Sequence, residues 1–390
     1  MHETLSAGRE FCARVHKSCE QAHAKEHLED VMMYEQQNLT MIRKQDHLAI
    51  FRAGPVDARW ATSFLECVHF IPCSLPECAL HEIDLSTTYA GHSFRAPLFI
   101  TGITGGTAEA AEINRTLAAI AEEYGIGFGL GSQRAMVNDA SLAMTYTVRD
   151  VAPHAFIAGN IGAVQAARCS SDTVRRLVEV VSADALCIHL NPAQELLQSE
   201  GDRDFRGILP AIERLVRDLP VPVIVKETGA GIARETAVRL RNAGVRYLDV
   251  SGVGGTSWTG VEIVRARREK DPQVTAFWDW GIPTAAAVCE TRDLGMEIIA
   301  SGGIRTGLDA ARALAIGAKL AGFASPVLRA FYAGGAAEVR RYIEAVIEGI
   351  KRTLLLTGCR SVAGLPSIPR LIKDPLREWL TERGIGARNV

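Results

Sequence analysis

The sequence predicts an α/β protein, a (β/α)8 TIM barrel with an N-terminal extension. Three observations carry this reading. Eight short apolar or glycine-rich runs recur from about residue 96 onward, helix-like segments separate them, and polar residues stand directly after the runs. Near-continuous apolar strands indicate a parallel sheet covered on both faces. Eight strand–helix units that close on themselves need about 250 residues, and residues 96–357 supply that length.

In order, the runs are 97–100, 126–130, 155–158, 185–188, 221–225, 247–250, 297–300 and 320–324. Between the first two, residues 108–124 carry Ile113, Leu117, Ile120 and Tyr124 at helical spacing. Segments 172–181, 205–218, 233–243 and 306–317 behave likewise, and several stop at glycine. A doubly wound open sheet is the alternative, but its fingerprint is missing. Gly125-Ile126-Gly127-Phe128-Gly129 lies within a strand run and does not open a helix. The sixth crossover is long, spanning Glu269-Lys270-Asp271-Pro272 and the aromatic segment 278–284. Long connections at this end of a barrel serve as lids or recognition loops.

Two regions result: residues 1–40, a helical or flexible arm, and residues 41–390, the barrel with a substrate-binding N-terminal segment and C-terminal helices. His16, His23 and His27 in the arm read as parts of a solvated helix, with a metal site the lesser alternative.

Composition is globular, 47% hydrophobic and 23% charged, and the net charge of -2 gives no reason to expect a nucleic-acid partner. Nine cysteines, an odd number with no Cys-x-x-Cys pair, suit free thiols in a reducing cytosol. Cys67, His69, Cys73 and Cys78 lie close together, but their spacing matches no familiar zinc site. The charged start lacks the apolar core of a signal peptide. No apolar stretch reaches the roughly 20 residues that span a bilayer. The expectation is a soluble cytoplasmic protein.

Each strand end contributes polar groups to one rim, where barrel enzymes carry their chemistry. In order these are Thr101-Gly102-Ile103-Thr104, Gly131-Ser132-Gln133-Arg134, Gly159-Asn160, and the run His189-Leu190-Asn191-Pro192-Ala193-Gln194-Glu195. Then come Lys226-Glu227, 251–258, Ser301-Gly302-Gly303-Ile304-Arg305 and Ala324-Ser325. Gly302 and Gly303 let backbone N–H groups approach a phosphate, and the helix opening near Thr306 would favour its charge. Lys226 would place an ammonium in the mouth, which needs a partner. The N1–C2=O edge of a reduced flavin is one; a Schiff base is the competing use. Phosphate loop and ring-end cation together suggest flavin mononucleotide (FMN).

The combination resembles the type 2, flavin-dependent isopentenyl diphosphate isomerases over roughly residues 41–385. It rests on Arg43-Lys44-Gln45-Asp46-His47, Thr104-Gly105-Gly106, Gly131-Ser132-Gln133-Arg134, Asn160-Ile161-Gly162-Ala163, the run 189–195, Val225-Lys226-Glu227, the loop 251–256 and the loop 301–305. The resemblance implies conversion of isopentenyl to dimethylallyl diphosphate by acid–base chemistry on reduced FMN with Mg²⁺, and NADPH as reductant. It also implies a homo-oligomer, tetramer or octamer. Arg43, Lys44 and His47 would bind the diphosphate, with Ser132, Gln133, Arg134 and Gln194 completing the substrate site. Glu195 would hold Mg²⁺. Gln194, His189, Asn191 and, for proton relay, Glu262 would be the catalytic set. Gly102, Ile103, Thr104, Ser132, Asn160, Lys226, Ser251, Thr256, Gly302, Gly303, Arg305, Ala324 and Ser325 would hold the flavin. Two departures stand out: Gly102-Ile103 where the family commonly has Ala-Met, and an arm of about 40 residues before Arg43.

The chemistry agrees with that reading. Arginine, lysine and a carboxylate-bound metal are apt partners for a polyanionic diphosphate. Protonating the alkene makes a tertiary cation, from which water must be excluded. Three rivals share parts of the pattern: the same scaffold acting on another prenyl substrate, for example in cyclisation, an FMN-dependent 2-hydroxy-acid oxidase, and a non-catalytic carrier. The oxidase needs a histidine base and an arginine after strand six, where this chain reads Gly252 to Trp258 with neither.

Overall fold

The computed structural model describes residues 42–386. The N-terminal arm, with His16, His23 and His27 and with Cys12 and Cys19, lies outside the described residues. Eight parallel strands close into a barrel. They are β1 (Leu98–Ile100), β2 (Gly127–Gly129), β3 (Ile157–Gly162), β4 (Ala185–Leu190), β5 (Val223–Glu227), β6 (Tyr247–Asp249), β7 (Glu297–Ser301) and β8 (Leu320–Phe323). Closure runs through β8 and β1, where Ala321 pairs with Leu98. The open-sheet alternative is thereby excluded.

Strands β3, β4 and β5 run further than their apolar stretches. Asn160, His189 and Lys226, expected just past the strands, sit inside them. The backbone ladder continues while the side chains face the mouth of the barrel, so polarity ended the apolar signal without ending the pairing. Register then places His189, Lys226 and Asp249 beside one another across β4, β5 and β6.

The barrel interior is filled from below. Phe99, Ala158, Cys187, Ile224, Ile299 and Leu320 pack with Tyr89 and Phe94, which come from the antiparallel pair Thr87–Tyr89 and His92–Phe94. Phe156 stands edge-on to Tyr89. A hydrophobic plug therefore closes the N-terminal end, and the opposite end is left for polar groups.

Helices cover the outside. Helix α1 (42–53) precedes the barrel. It is followed by α2 (Ala108–Tyr124), α3 (Ser171–Val180), α4 (Pro192–Leu197), α5 (Ile208–Asp218), α6 (Arg234–Asn242), α7 (Trp258–Arg265), α8 (Thr284–Thr291) and α9 (Gly307–Ala315). The chain ends in α10 (Ser325–Leu356), kinked at Gly334 and Gly335, and α11 (Leu376–Glu382). Helix α2 shows the local logic. Thr107 accepts from the Ala110 N–H at its start, Ile113, Leu117 and Ile120 are buried, and Gly125 ends it at φ 61°. No described helix is long and apolar enough to cross a membrane.

Helix α1 lies across the mouth. Its Leu48 and Phe51 are buried, and both His47 and Phe51 meet the Trp258 ring edge-on. The following segment, 54–63, is tied to the loop after β6, where Ala58 donates to Gly255 O and Ser257 to Val56 O. The long sixth crossover clamps this segment rather than standing free. Asp279 accepts from the backbone N–H groups of Arg59, Trp60 and Ala61 at 2.9, 2.6 and 3.0 Å. The Arg59 guanidinium stacks 3.5 Å from the Trp278 ring centroid.

The cysteines from Cys67 to Cys359 are free thiols, and among the described residues no group of three or more side chains could hold a metal. Cys67 is buried and its pKa is raised, chiefly by that burial. The zinc alternative therefore has no ligand set.

Replacing Asp279 by alanine removes one acceptor from three backbone donors. We expect a loss of about 1–3 kcal/mol in denaturant unfolding and faster proteolysis within 54–63. An unchanged unfolding midpoint would show that the clamp contributes nothing.

Candidate active site

The mouth of the barrel holds one large cavity, lined by α1, the strand-end loops and the start of α10. Glycines shape the half formed by β1, β2, β7 and β8. A Cβ on Gly102 would meet Leu130 O at 2.2 Å, and one on Gly302 would meet Gly252 O at 2.0 Å. Gly302 and Gly303 adopt φ 102° and 78°, which side chains rarely tolerate. Two hydroxyl oxygens in this region, Thr256 Oγ1 and Ser325 Oγ, are buried without a hydrogen-bond partner.

The helix after Gly302-Gly303 differs from expectation. Its N-terminus is occupied by its own capping box: Thr306 Oγ1 accepts from Asp309 N, and Asp309 accepts from the Arg305 and Thr306 N–H groups. The uncapped N-terminus is instead that of α10, beginning at Ser325. An anion here would take the N–H groups of the glycine loop and of α10. Arg305 reaches the same end and donates to Gly254 O and to Asp57 Oδ2 at 3.1 and 3.0 Å. Arg329 joins it on Asp57 at 3.5 Å.

The opposite half is polar. His189 Nδ1 pairs with Asn160 Oδ1 at 2.8 Å, while Asn160 Nδ2 donates to Leu130 O. Burial, then Lys226, Lys44, Arg43 and Arg134, hold His189 down to about 3, so its imidazole is neutral at ordinary pH. Asn191 donates to Gln194 Oε1 at 3.3 Å and to Glu195 Oε1 at 3.0 Å. Glu195 Oε2 accepts from Asp202 N at 2.8 Å. Glu195 is buried beside Gln194, and each of its oxygens keeps a free lone pair.

Cations crowd the side under α1. Lys44 is buried and donates to Ser132 O at 3.1 Å. Burial, then Arg43, push its pKa down to about 7. Burial, then Arg134, also lower Arg43. Like charges this close stay ionised at a cost unless an anion joins them.

Most of the expected residues meet in this cavity: Arg43, Lys44, His47, Gly102, Ile103, Thr104, Ser132, Arg134, Asn160, His189, Asn191, Gln194, Glu195, Lys226, Ser251, Thr256, Gly302, Gly303, Arg305, Ala324 and Ser325. Two stand apart. Gln133, expected to bind substrate, is fully buried in the wall, bonded to Leu177 O and Asn160 N. It fixes Asn160 instead. Glu262 lies behind the lining, where it accepts from His47 at 2.9 Å and Gln194 at 3.2 Å. Sequence reasoning missed Asp57, Gln165 and Arg329 as lining residues. Arg329 could have been found one helical turn after Ser325; Asp57, in the segment after α1, gives no local signal. Glu227 was placed on the rim without a role; its carboxylate takes the N–H groups of Thr228, Gly229 and Ala230 and fixes the turn after β5.

Comparison with known proteins agrees with this geometry. The FMN-dependent dehydrogenase family matches residues 175–370. Among solved structures, a mandelate oxidase variant with an FMN adduct superposes with TM-score 0.58 at 19% identity, over 84% of this chain and 95% of its own. A flavocytochrome b2 variant with pyruvate gives 0.62 at 18%, over 85% and 84%. At such identity these show the shared fold. The isopentenyl-diphosphate delta-isomerase of Thermococcus onnurineus is 44% identical over 360 residues, 90% of this chain and 96% of its own length. That of Pyrococcus furiosus is 45% identical over 354 residues, 88% and 90%. That of Methanosarcina mazei is 42% identical over 358 residues, 90% and 98%. With the barrel, the glycine-lined cradle and the cation cluster in place, the chain belongs to the type 2 isopentenyl-diphosphate delta-isomerase family.

Proposed function

We propose that this protein converts isopentenyl diphosphate to dimethylallyl diphosphate, with reduced FMN in the glycine-lined half of the cavity and Mg²⁺ beside Glu195. The observation that carries the reading is the crowding of Arg43, Lys44 and Arg134 under α1. Burial, then repulsion from Arg43, depress Lys44 to about 7. A diphosphate relieves that repulsion and is bound for the same reason.

The residues present fit FMN. Orphaned Thr256 and Ser325 hydroxyls, the close-packed Gly102 and Gly302, the uncapped start of α10 and the Lys226 ammonium suit a phosphate at one end and an anionic ring edge at the other. They also fit Mg²⁺. With one carboxylate available, the ion would take its remaining ligands from phosphate oxygens and water, as this metal does. NADPH as reductant, a homo-oligomer and a cytoplasmic location accompany the proposal on the family resemblance.

When bound, reduced flavin supplies an electron-rich ring that can stabilise positive charge and exchange protons. The chain's own residues do the rest. Helix α1 anchors the diphosphate through Arg43, Lys44 and His47. Leu48, Phe51 and Trp258 line the cavity with apolar surface and limit water. The Gln194 amide is held between Asn191 and Glu262, and His189 offers a neutral imidazole. The loop 251–258 after β6 holds no histidine or arginine, so the site lacks the base and carboxylate clamp of the 2-hydroxy-acid reading.

Reconstituted protein should retain FMN absorbance through dialysis. Arg305→Ala should weaken FMN by about 10–100-fold, the worth of a charge-assisted contact. Retention of FMN by the variant at wild-type affinity would remove Arg305 from the phosphate.

Glu195→Gln keeps the shape and the Asp202 hydrogen bond but loses the charge. The Mg²⁺ concentration for half-maximal turnover should rise about tenfold or more, with FMN still bound. An identical Mg²⁺ titration would place the metal elsewhere.

Anaerobic turnover of isopentenyl diphosphate with dithionite-reduced FMN in D₂O should put solvent label into the product, and Gln194→Ala should lose about 10²-fold or more in rate. Equal turnover with oxidised FMN under nonreducing conditions would sink the mechanism. Turnover of another prenyl substrate in place of this one would support the rival use of the scaffold.

A further inference from the structure

Behind the cavity lies a chain of polar groups whose outer members have no part in the reading above. Glu262 on α7 is 1% exposed. Its two oxygens divide their work. Oε1 faces the site and accepts from His47 Nε2 and Gln194 Nε2. Oε2 faces away and accepts from Arg265 Nε at 2.7 Å. Arg265 then donates to Glu200 Oε2 at 2.7 Å, and Ser199 Oγ donates to the same oxygen. Glu200 lies on the loop after α4, next to Gly201 and Asp202, whose N–H holds Glu195. One guanidinium therefore joins α7 to the loop that steadies the metal-side carboxylate.

A carboxylate this buried would protonate if left unpaired. Burial does push Glu262 up. The hydrogen bond and charge of His47, followed by the charge and hydrogen bond of Arg265, outweigh it and hold the carboxyl down to about 2. Arginine stays protonated across the accessible pH range. Arg43 on α1 is the other cation whose field reaches this acid. Of the groups bonded to Glu262, only Arg265 is permanently charged.

We propose that Arg265, clamped by Glu200, is a positioning residue that keeps Glu262 ionised and so fixes the orientation of the Gln194 amide. The inference rests on the isomerase reading of the site. An ionised carboxylate can only accept, so Gln194 must present its NH₂ to Glu262 and its carbonyl to Asn191 and the cavity. A protonated Glu262 can donate, and the amide's orientation is then set by the 3.3 Å contact from Asn191 alone. Glu200 in turn stops the guanidinium from swinging out to solvent.

The test uses FMN-reconstituted protein carrying Arg265→Gln, Arg265→Lys or Glu200→Gln. The ionised form of Glu262 is lost as pH falls through its pKa, and removing Arg265 raises that pKa. In Arg265→Gln the acid limb of kcat/KM should therefore move up by about one pH unit or more. The loss should fall on kcat more than on KM. Arg265→Lys should restore most of the profile, Glu200→Gln should shift it part of the way, and FMN affinity should stay within about twofold of wild type. Infrared difference spectra give a readout independent of turnover. The protonated-carboxyl band removed by Glu262→Gln should emerge at higher pH in Arg265→Gln than in wild type. Superimposable pH profiles and infrared titrations, even with a lowered unfolding midpoint, would overturn the proposal and leave Arg265 a structural residue. Should Arg265→Gln fail to fold, Glu200→Gln with wild-type titrations would overturn it equally. Absence of wild-type turnover with isopentenyl diphosphate would defeat the proposed function, while the infrared shift would still decide the role of Arg265.

Discussion

Mutual repulsion of cations at the barrel mouth is the constraint on which the rest of the site depends. Arg43, Lys44, Arg134 and Lys226 converge on a cavity whose other walls are glycine loops and neutral amides. The field is strong enough to depress the His189 imidazole to about 3, with burial the largest cause and these four charges following. A pocket so biased selects anions before any shape is considered. It also keeps the imidazole neutral, so His189 serves as a hydrogen-bonding wall and not as a second cation.

Such a cluster must be held together by something other than its own interactions. Arg43 and Lys44 ride on α1, which stays in place because Leu48 and Phe51 are buried, Trp258 packs against His47, and Arg52 reaches Glu109 and the Tyr332 ring. The segment after α1 is then fastened by Asp279 and by the paired arginines on Asp57. Both ends of the cavity thus depend on one strip of chain outside the barrel. The strip carries Arg43 and Lys44 at one end and meets Arg305 and Arg329 through Asp57 at the other.

Much of this was legible in the sequence, and the boundary of legibility has a physical cause. Eight apolar runs revealed the barrel because buried strands need apolar side chains on both faces. The glycine loops and the run from His189 to Glu195 revealed the rim because polar groups cost too much in a core to be idle. Strand ends were misplaced where Asn160, His189 and Lys226 are polar in side chain but remain in the ladder. The capping role of Asp309 was missed because Thr306 and Asp309 satisfy the very N–H groups that an anion would use. Gln133 looked like a ligand from its place beside Ser132 and Arg134, yet its amide completes the wall behind Asn160. Asp57 and Arg329 are brought to the cavity by tertiary contacts spanning some 200 residues or more, which no local pattern encodes.

The same barrel serves oxidases of 2-hydroxy acids, so the fold alone does not decide the chemistry. What differs here is where charge is placed. The loop after β6 is glycine-rich and carries no cation, and Ser251 turns there at φ 39° under the hold of Asp249. Arg43 and Lys44 stand instead on α1, outside the barrel, and face Arg134 and Lys226 on the rim. A diphosphate anchored there, as proposed, would present its charged end to these cations and its hydrocarbon end toward Trp258 and the neutral amides. Cations gathered under α1 and on the rim, beside neutral amides and Trp258, form an arrangement suited to moving a double bond in a molecule whose only polar part is its diphosphate.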